Sequence, residues 1–95
     1  MNCEEGKSMA DVSKVRFTRH AIEKFEVLKR YDFEVGERQV VDVVLNPARL
    51  KKRDGQFFAV KLMDSKHALR VVYENRKGFL VVITFYPVRR ERYGL

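Results

Sequence analysis

The spacing of apolar residues changes at Asn46-Pro47, and this change constrains the fold more than any other feature of the 95-residue chain. Before Asn46, apolar residues recur every three or four positions, which is typical of amphipathic helices. After Pro47 they alternate with polar residues, which is typical of half-buried strands. A proline disfavours helical backbone at the residue before it, so the dipeptide separates the two patterns. The sequence therefore predicts an α+β domain in which helices precede a sheet.

Two helices are predicted in the first half of the chain. Thr18 is a suitable N-cap for a helix from Arg19 to about Arg30. Its apolar face is formed by Ala21, Ile22, Phe25 and Leu28. The segment from Glu37 to Leu45 is predicted as a second helix because charged residues lie opposite its apolar stripe, although its valines leave a strand as the alternative. Residues 1–13 are predicted to be a flexible tail, and residues 14–95 a single domain with an extended lead-in at 14–17.

The second half is predicted to form four antiparallel strands. Asp54-Gly55, between two alternating segments, is typical of a two-residue hairpin turn. The predicted strands are Arg49–Arg53, Gln56–Leu62, Leu69–Glu74 and Phe79–Tyr86, with Pro87 ending the last. The expected architecture is two N-terminal helices packed on one face of a four-stranded antiparallel meander.

Alternation along the strands predicts which side chains share a face of this sheet. The denser apolar set is expected to meet the helices: Phe58, Val60, Leu62, Leu69, Val71, Tyr73, Phe79, Val81, Ile83 and Phe85. The opposite face is expected to present Lys61, Arg70, Thr84 and Tyr86. A β-bulge in any strand would reverse this assignment beyond the bulge.

Charge is concentrated in the predicted sheet. The chain carries 20 Lys and Arg against 13 Asp and Glu, and residues 49–95 hold twelve of the basic residues but only four of the acidic ones. Such a half-chain attracts polyanions, of which nucleic acid is the usual one. No apolar run approaches the roughly 18 residues of a membrane span, and no signal-peptide pattern is present. The single cysteine, Cys3, cannot form a disulfide within the chain, so a cytoplasmic location is expected.

Four segments of the chain carry a resemblance to a known family: Phe17-Thr18-Arg19-His20-Ala21, the helix end at Asn46-Pro47, Leu69–Tyr73 and Val82–Tyr93. Together they resemble the RelE/BrnT-like superfamily of toxin-antitoxin ribonucleases, in particular an uncharacterised branch with a Phe-Thr-x-His-Ala start. The resemblance covers about four-fifths of the chain. It departs from BrnT-type proteins at Phe17-Thr18, where those proteins usually carry Trp-Asp.

The resemblance implies a RelE-like fold and metal-independent cleavage of RNA by attack of a 2′-hydroxyl, often on ribosome-bound messenger RNA. It also implies a cognate antitoxin protein as partner, with no cofactor. Arg70 and Tyr93 match the family's charge-stabilising arginine and its C-terminal tyrosine, and Arg89 and Arg90 match its C-terminal arginines. We therefore expect Arg70 to stabilise the phosphorane and Tyr93 to transfer protons.

Further candidates follow from the residues themselves. Tyr86 competes with Tyr93 for the proton-transfer role, and the imidazole of His20 is a third candidate because histidine titrates near neutral pH. The expected RNA-binding cations are Lys61, Arg89, Arg90 and Arg92. Alternatively, Arg70 has a structural role and forms an ion pair with Glu74, which lies further along the same face of its strand. No metal is expected, because the two histidines lack metal-ligand spacing.

Three functions of different classes remain open on the sequence. The first is a small RNA-cleaving toxin whose sheet face binds RNA. The second is a nucleic-acid-binding module that uses the same basic face without cleavage. The third is an interaction domain whose open sheet face, which is partly apolar, docks a partner chain or a second copy of itself to form a homodimer.

Overall fold

The computed structural model describes residues 14–95, which form two helices and a five-stranded mixed sheet, so the α+β class is confirmed. The elements are β1 (Val15–Phe17), α1 (Arg19–Arg30), α2 (Glu37–Leu45), β2 (Arg49–Arg53), β3 (Gln56–Leu62), β4 (His67–Arg76), β5 (Phe79–Arg89) and a 3₁₀ turn (Arg90–Tyr93). The predictions for the tail and for Cys3 lie outside the described residues.

The sheet has one strand more than predicted. Its order is β1-β5-β4-β3-β2, with β1 parallel to β5 and all other pairs antiparallel. The prediction of a four-stranded antiparallel meander is therefore wrong, because the lead-in pairs with the last strand and the helices follow it. Leu80 N–H donates to the Lys14 carbonyl (2.9 Å) and Thr18 N–H donates to the Val82 carbonyl (3.1 Å). The sequence does not predict β1 as a strand, because three residues are too few to show alternation and the partner strand lies more than 60 residues away.

Both helices form as predicted. The Thr18 hydroxyl accepts a hydrogen bond from Ala21 N–H (3.1 Å), which satisfies one of the free donors in the first turn of α1. α2 is a helix and not a strand, and it buries Val40, Val43 and Val44. In α1, Ala21 and Leu28 are buried but Ile22 is 54% exposed, so its predicted place on the core face is wrong.

Both tight hairpins use two-residue turns. Asp54 and Gly55 have φ of 51° and 82°, the left-handed backbone that a type I′ turn requires, which confirms the predicted hairpin. Lys77 and Gly78 adopt the same conformation between β4 and β5. Because this second turn needs only two residues, β4 extends to Arg76, beyond the predicted end of that strand.

β5 continues through Pro87 to Arg89, so the prediction that this proline ends the strand is wrong. Pro87 lies opposite Leu69 in β4. The His67 carbonyl accepts from Met63 N–H on the β3 side, and by alternation the backbone polar groups of Leu69 also point towards β3. The pair therefore has no ladder hydrogen bond for the proline to lose.

A bulge in β5 changes the predicted face of its first residues. Val72 pairs with Thr84 but Tyr73 pairs with Val82, which leaves Ile83 as the extra residue. Phe85 faces the helices as predicted. Before the bulge the parity is reversed: Leu80 and Val82 pack with the helical core, and Phe79 and Val81, predicted for the core, lie on the opposite face.

The predicted faces of β3 are also reversed. Lys61 pairs with Leu69, so Phe57, Ala59 and Lys61 share the helix-facing side with Leu69, Val71 and Tyr73. Lys61 forms an ion pair with Asp42 of α2 at 2.6 Å, on the side of the sheet opposite to Arg70.

We call the side of the sheet that faces away from the helices the open face. Its residues are Arg16, Arg49, Lys51, Arg53, Gln56, Phe58, Val60, Leu62, Ala68, Arg70, Val72, Glu74, Arg76, Phe79, Val81, Thr84, Tyr86 and Val88.

Candidate nucleic-acid interface

A row of side chains crosses the open face at right angles to the strands. The register places Arg49 of β2 opposite Val60, Val60 opposite Arg70, and Arg70 opposite Tyr86 of β5. Four neighbouring strands therefore contribute one residue each. With about 4.8 Å between strands, the row is about 14 Å long.

A groove of about 400 Å³ lies over this row. We call it the Arg70 groove, and it is lined by Arg49, Leu50, Lys51, Phe58, Val60, Arg70, Arg92 and Tyr93. Phe58 and Val60 supply apolar surface, while four of the eight residues carry a positive charge. The arrangement offers a ring and aliphatic surface for a base, together with cations for phosphates.

Arg70 is the centre of the site. Its Nη1 donates a hydrogen bond to the Tyr86 hydroxyl oxygen (2.9 Å). Its Cζ lies 4.9 Å from the centroid of the Phe58 ring and 5.8 Å from that of Tyr86. Two aromatic rings therefore hold the guanidinium by cation–π contact, without neutralising its charge.

The carboxylate considered as a partner for Arg70 is engaged elsewhere. Glu74 accepts hydrogen bonds from Gln56 Nε2 (3.0 Å) and Arg76 Nε (2.9 Å), and these bonds lower the pKa of its carboxyl. Glu74 therefore stays ionised, but it does not pair with Arg70. Within residues 14–95 the buried Nε of Arg70 has no hydrogen-bond partner. A buried donor without a partner costs about 1–3 kcal/mol, and such a cost in a native protein requires an explanation.

The other cations of the groove are also without acidic partners. Among the described residues, no carboxylate lies within 4.0 Å of the side-chain nitrogens of Arg49, Lys51 or Arg92. These charges are not screened by neighbouring acids, so their attraction for an anion is retained. The groove is accordingly the part of the open face best suited to hold a phosphate.

The C-terminal 3₁₀ turn forms one wall of the groove, and Arg49 fixes it in place. Arg49 Nε donates to the Tyr93 carbonyl (2.9 Å). Gly94 follows with φ of 68°, and a Cβ at that position would lie 2.9 Å from Nη2 of Arg49. The left-handed backbone favours glycine at this position, and a larger residue would also require the end of the Arg49 side chain to shift.

The structure brings together some of the predicted site residues. Arg70, Arg92 and Tyr93 line the groove, and Tyr86 adjoins it through its hydrogen bond to Arg70.

The remaining candidates do not reach the groove. Arg90 has a structural role, because Nε donates to the Leu95 carbonyl (2.8 Å) and Nη1 donates to the Ser65 carbonyl (3.2 Å). Arg89 is exposed at the end of β5, opposite His67. His20 is exposed in the first turn of α1, and Lys61 faces the helices.

Five residues of the groove lining were not predicted as site residues: Arg49, Leu50, Lys51, Phe58 and Val60. A signal for them was available, because the two-residue turn at Asp54-Gly55 sets Arg49 opposite Val60 and Lys51 opposite Phe58. What was missing was the register between β3 and β4, which decides the face on which these pairs lie.

Comparisons with protein-family models, with curated proteins and with solved structures find no match to this chain. Residues 14–95 contain no cluster of three or more His, Cys, Asp or Glu side chains that could hold a metal ion. No helix in this same part of the chain is long and apolar enough to cross a membrane. The chemistry of the open face is therefore the basis for a functional hypothesis.

Proposed function

We propose that the open face binds a single strand of RNA and that the chain cleaves this strand without a metal ion. The observation that carries the proposal is the environment of Arg70. Its guanidinium lies between two rings in a basic groove, with no carboxylate partner among residues 14–95. Metal-free RNA cleavage is also the activity that the RelE/BrnT resemblance implies.

Single-stranded nucleic acid is the polyanion that best fits the groove. Cations along a groove hold the phosphates of a strand, and aromatic rings stack on its unpaired bases. Lys51 and Arg92 supply the cations beside Phe58 and Tyr93. A duplex keeps its bases stacked inside the helix, so it would contact the cations but not the rings.

Cleavage by the 2′-hydroxyl requires three protein functions. A base takes the proton of this hydroxyl as its oxygen bonds to the adjacent phosphorus, an acid protonates the departing 5′-oxygen, and a cation stabilises the phosphorane. Arg70 would stabilise the phosphorane charge. Because Arg70 Nη1 donates to the Tyr86 oxygen, the phenolic proton of Tyr86 is directed to another acceptor, which suits Tyr86 to the role of acid. Tyr93 in the groove wall is the other proton-transfer group.

A labelled single-stranded RNA in EDTA tests the proposal. We expect the wild-type chain to bind the RNA with a strong salt dependence and to cleave it to products with 2′,3′-cyclic phosphate ends. Tyr86→Phe should bind but cut at least about tenfold more slowly, since general acid catalysis contributes about 10²–10⁴-fold. Arg70→Gln should lose both properties. Arg76→Gln is the matched control, because Arg76 belongs to the same strand but is paired with Glu74, and it should retain both. Failure of the wild-type chain to bind RNA would overturn the proposal.

One observation favours binding without cleavage as a second candidate. The lining of the Arg70 groove includes neither an imidazole nor a carboxylate, which are the usual proton acceptors at neutral pH. Wild-type protein that binds RNA in a salt-dependent manner but leaves it intact would establish this candidate instead. If the wild-type protein cleaves, an RNA with a 2′-deoxy sugar at the cut position tests the mechanism, because it should bind normally but stay intact when the 2′-hydroxyl is the nucleophile.

A further inference from the structure

We propose that the RNA track continues past the Arg70 groove to a second phosphate subsite at the outer edge of β5, formed by Lys24 of α1 beside the ring of Tyr86. The inference rests on the proposed binding of RNA and extends it to a residue of the helical layer. Its basis is the position of Lys24, which reaches a residue of the open face although α1 packs on the other side of the sheet.

Two cations, Lys24 and Arg70, lie near the ring of Tyr86. Lys24 Nζ lies 5.8 Å from the Tyr86 ring centroid, and Arg70 Cζ lies at the same distance of 5.8 Å. The two charges are therefore separated by at most twice that distance. Phosphates of neighbouring nucleotides in one strand can contact both cations across a gap of this size.

The sheet edge is open where Lys24 reaches it. β1 pairs only with residues 80–82, so β5 has no strand on its outer side at Tyr86 within the described part of the chain. Lys24 is only partly exposed, and no carboxylate among residues 14–95 lies within 4.0 Å of its Nζ. Its charge is thus available to an anion that arrives along the open face.

A subsite at Lys24 sets the direction and the length of the bound strand. The cross-strand row from Arg49 to Tyr86 is about 14 Å long, and Lys24 extends it beyond the sheet. A strand that contacts both ends crosses the sheet transversely and occupies several nucleotides. The Arg70–Tyr86 pair then contacts an internal phosphate, which is the position required for cutting within a strand rather than at its end.

Fluorescence anisotropy with a labelled oligouridylate decamer over a salt series tests the subsite. Each phosphate contact on a single strand contributes about 0.7 to the slope of log K against log salt. Lys24→Gln should lower the slope by about 0.7 and weaken binding about threefold to fivefold at low salt, as expected for an exposed ion pair of up to about 1 kcal/mol. Lys24→Arg, which keeps the charge, should restore both values.

Lys29→Gln is the matched control, because Lys29 lies in the last turn of the same helix beside the depression formed with Phe33 and Gly36. It should leave the slope near that of the wild type. Equal slopes for Lys24→Gln and Lys29→Gln, with wild-type binding intact, would overturn the subsite alone. If Lys24→Arg loses as much RNA affinity and slope as Lys24→Gln, the role of Lys24 is to pack on Tyr86, and the phosphate subsite is again overturned. Wild-type protein without RNA affinity would overturn the proposed function together with the subsite.

Discussion

Replacement of Arg70 by methionine should remove RNA binding while leaving the free energy of unfolding almost unchanged. The change removes a hydrogen bond from a charged group to Tyr86, worth about 1.5–3 kcal/mol, and cation–π contacts with Phe58 and Tyr86 of about 0.5–1 kcal/mol each. It also removes the unpartnered Nε, which costs about 1–3 kcal/mol. Methionine keeps an apolar chain and a sulfur beside Phe58, worth about 0.3–1.5 kcal/mol. The opposing contributions leave a net change within about 1 kcal/mol of zero.

Thermal unfolding and RNA binding, measured on the same preparations, provide the assay. For a domain of this size, 1 kcal/mol corresponds to a shift in Tm of about 4–8 °C, so Arg70→Met should melt within that interval of the wild type. RNA affinity should fall at least about tenfold, because the lost contact is a charge-assisted hydrogen bond to phosphate. Arg76→Met removes the same charge from β4 outside the groove and should keep its RNA affinity.

Two results would refute this reasoning. Destabilisation of Arg70→Met by more than about 3 kcal/mol would show that the guanidinium is needed to hold β3, β4 and β5 together, as expected for a buried charge in a structural network. Unchanged RNA affinity in a variant that folds normally would show that Arg70 is not the phosphate contact. A stable, non-binding variant is the outcome expected of a residue retained for function at no gain in stability.

Three further predictions concern the elements that position the open face. Thr18→Ala should lower the free energy of unfolding by about 1 kcal/mol in urea titration, because the N-cap bond of α1 is lost, and Thr18→Ser should restore most of it. The hydrogen bond from Lys61 lowers the pKa of Asp42 below its ordinary 3.8. The stability that this carboxylate contributes is therefore complete above that value and is lost as the pH falls through the lower folded-state pKa. Acid titration below about pH 4 should show a larger loss of stability in the wild type than in Asp42→Asn, which keeps only the contributions of other carboxyls such as Glu74. Gly94→Ala should cost about 1–2 kcal/mol locally, because its φ is positive, and should displace the C-terminal turn from Arg49. Limited proteolysis should then cleave the C-terminus faster than in the wild type. Unchanged protection would contradict the contact between Arg49 and the turn.

Local chemistry explains the parts of the fold that were predictable. An N-cap threonine, an Asn-Pro dipeptide and an Asp-Gly turn each act on residues a few positions away, so α1, the end of α2 and the β2–β3 hairpin have the bounds that the sequence indicates. Of the candidate site, Arg70, Arg92 and Tyr93 were predicted and lie together. The cations of β2 were not predicted, because the register between β3 and β4 decides the face on which they lie. The contact of Lys24 with Tyr86 was not predicted either, because α1 and β5 are distant in sequence.

The amino-acid sequence alone predicts the α+β class, the helices, the tight turns and the basic character of the sheet, since these depend on composition and on interactions between near neighbours. The face on which each side chain lies follows instead from the tertiary structure. The β3–β4 register placed Lys61 with the helices and Phe58 beneath Arg70, and the bulge at Ile83 exchanged Val81 for Val82 in the core. Side chains alternate with a period of two, so a one-residue difference in register moves a whole strand's side chains to the other face, and that register is set by contacts across strands.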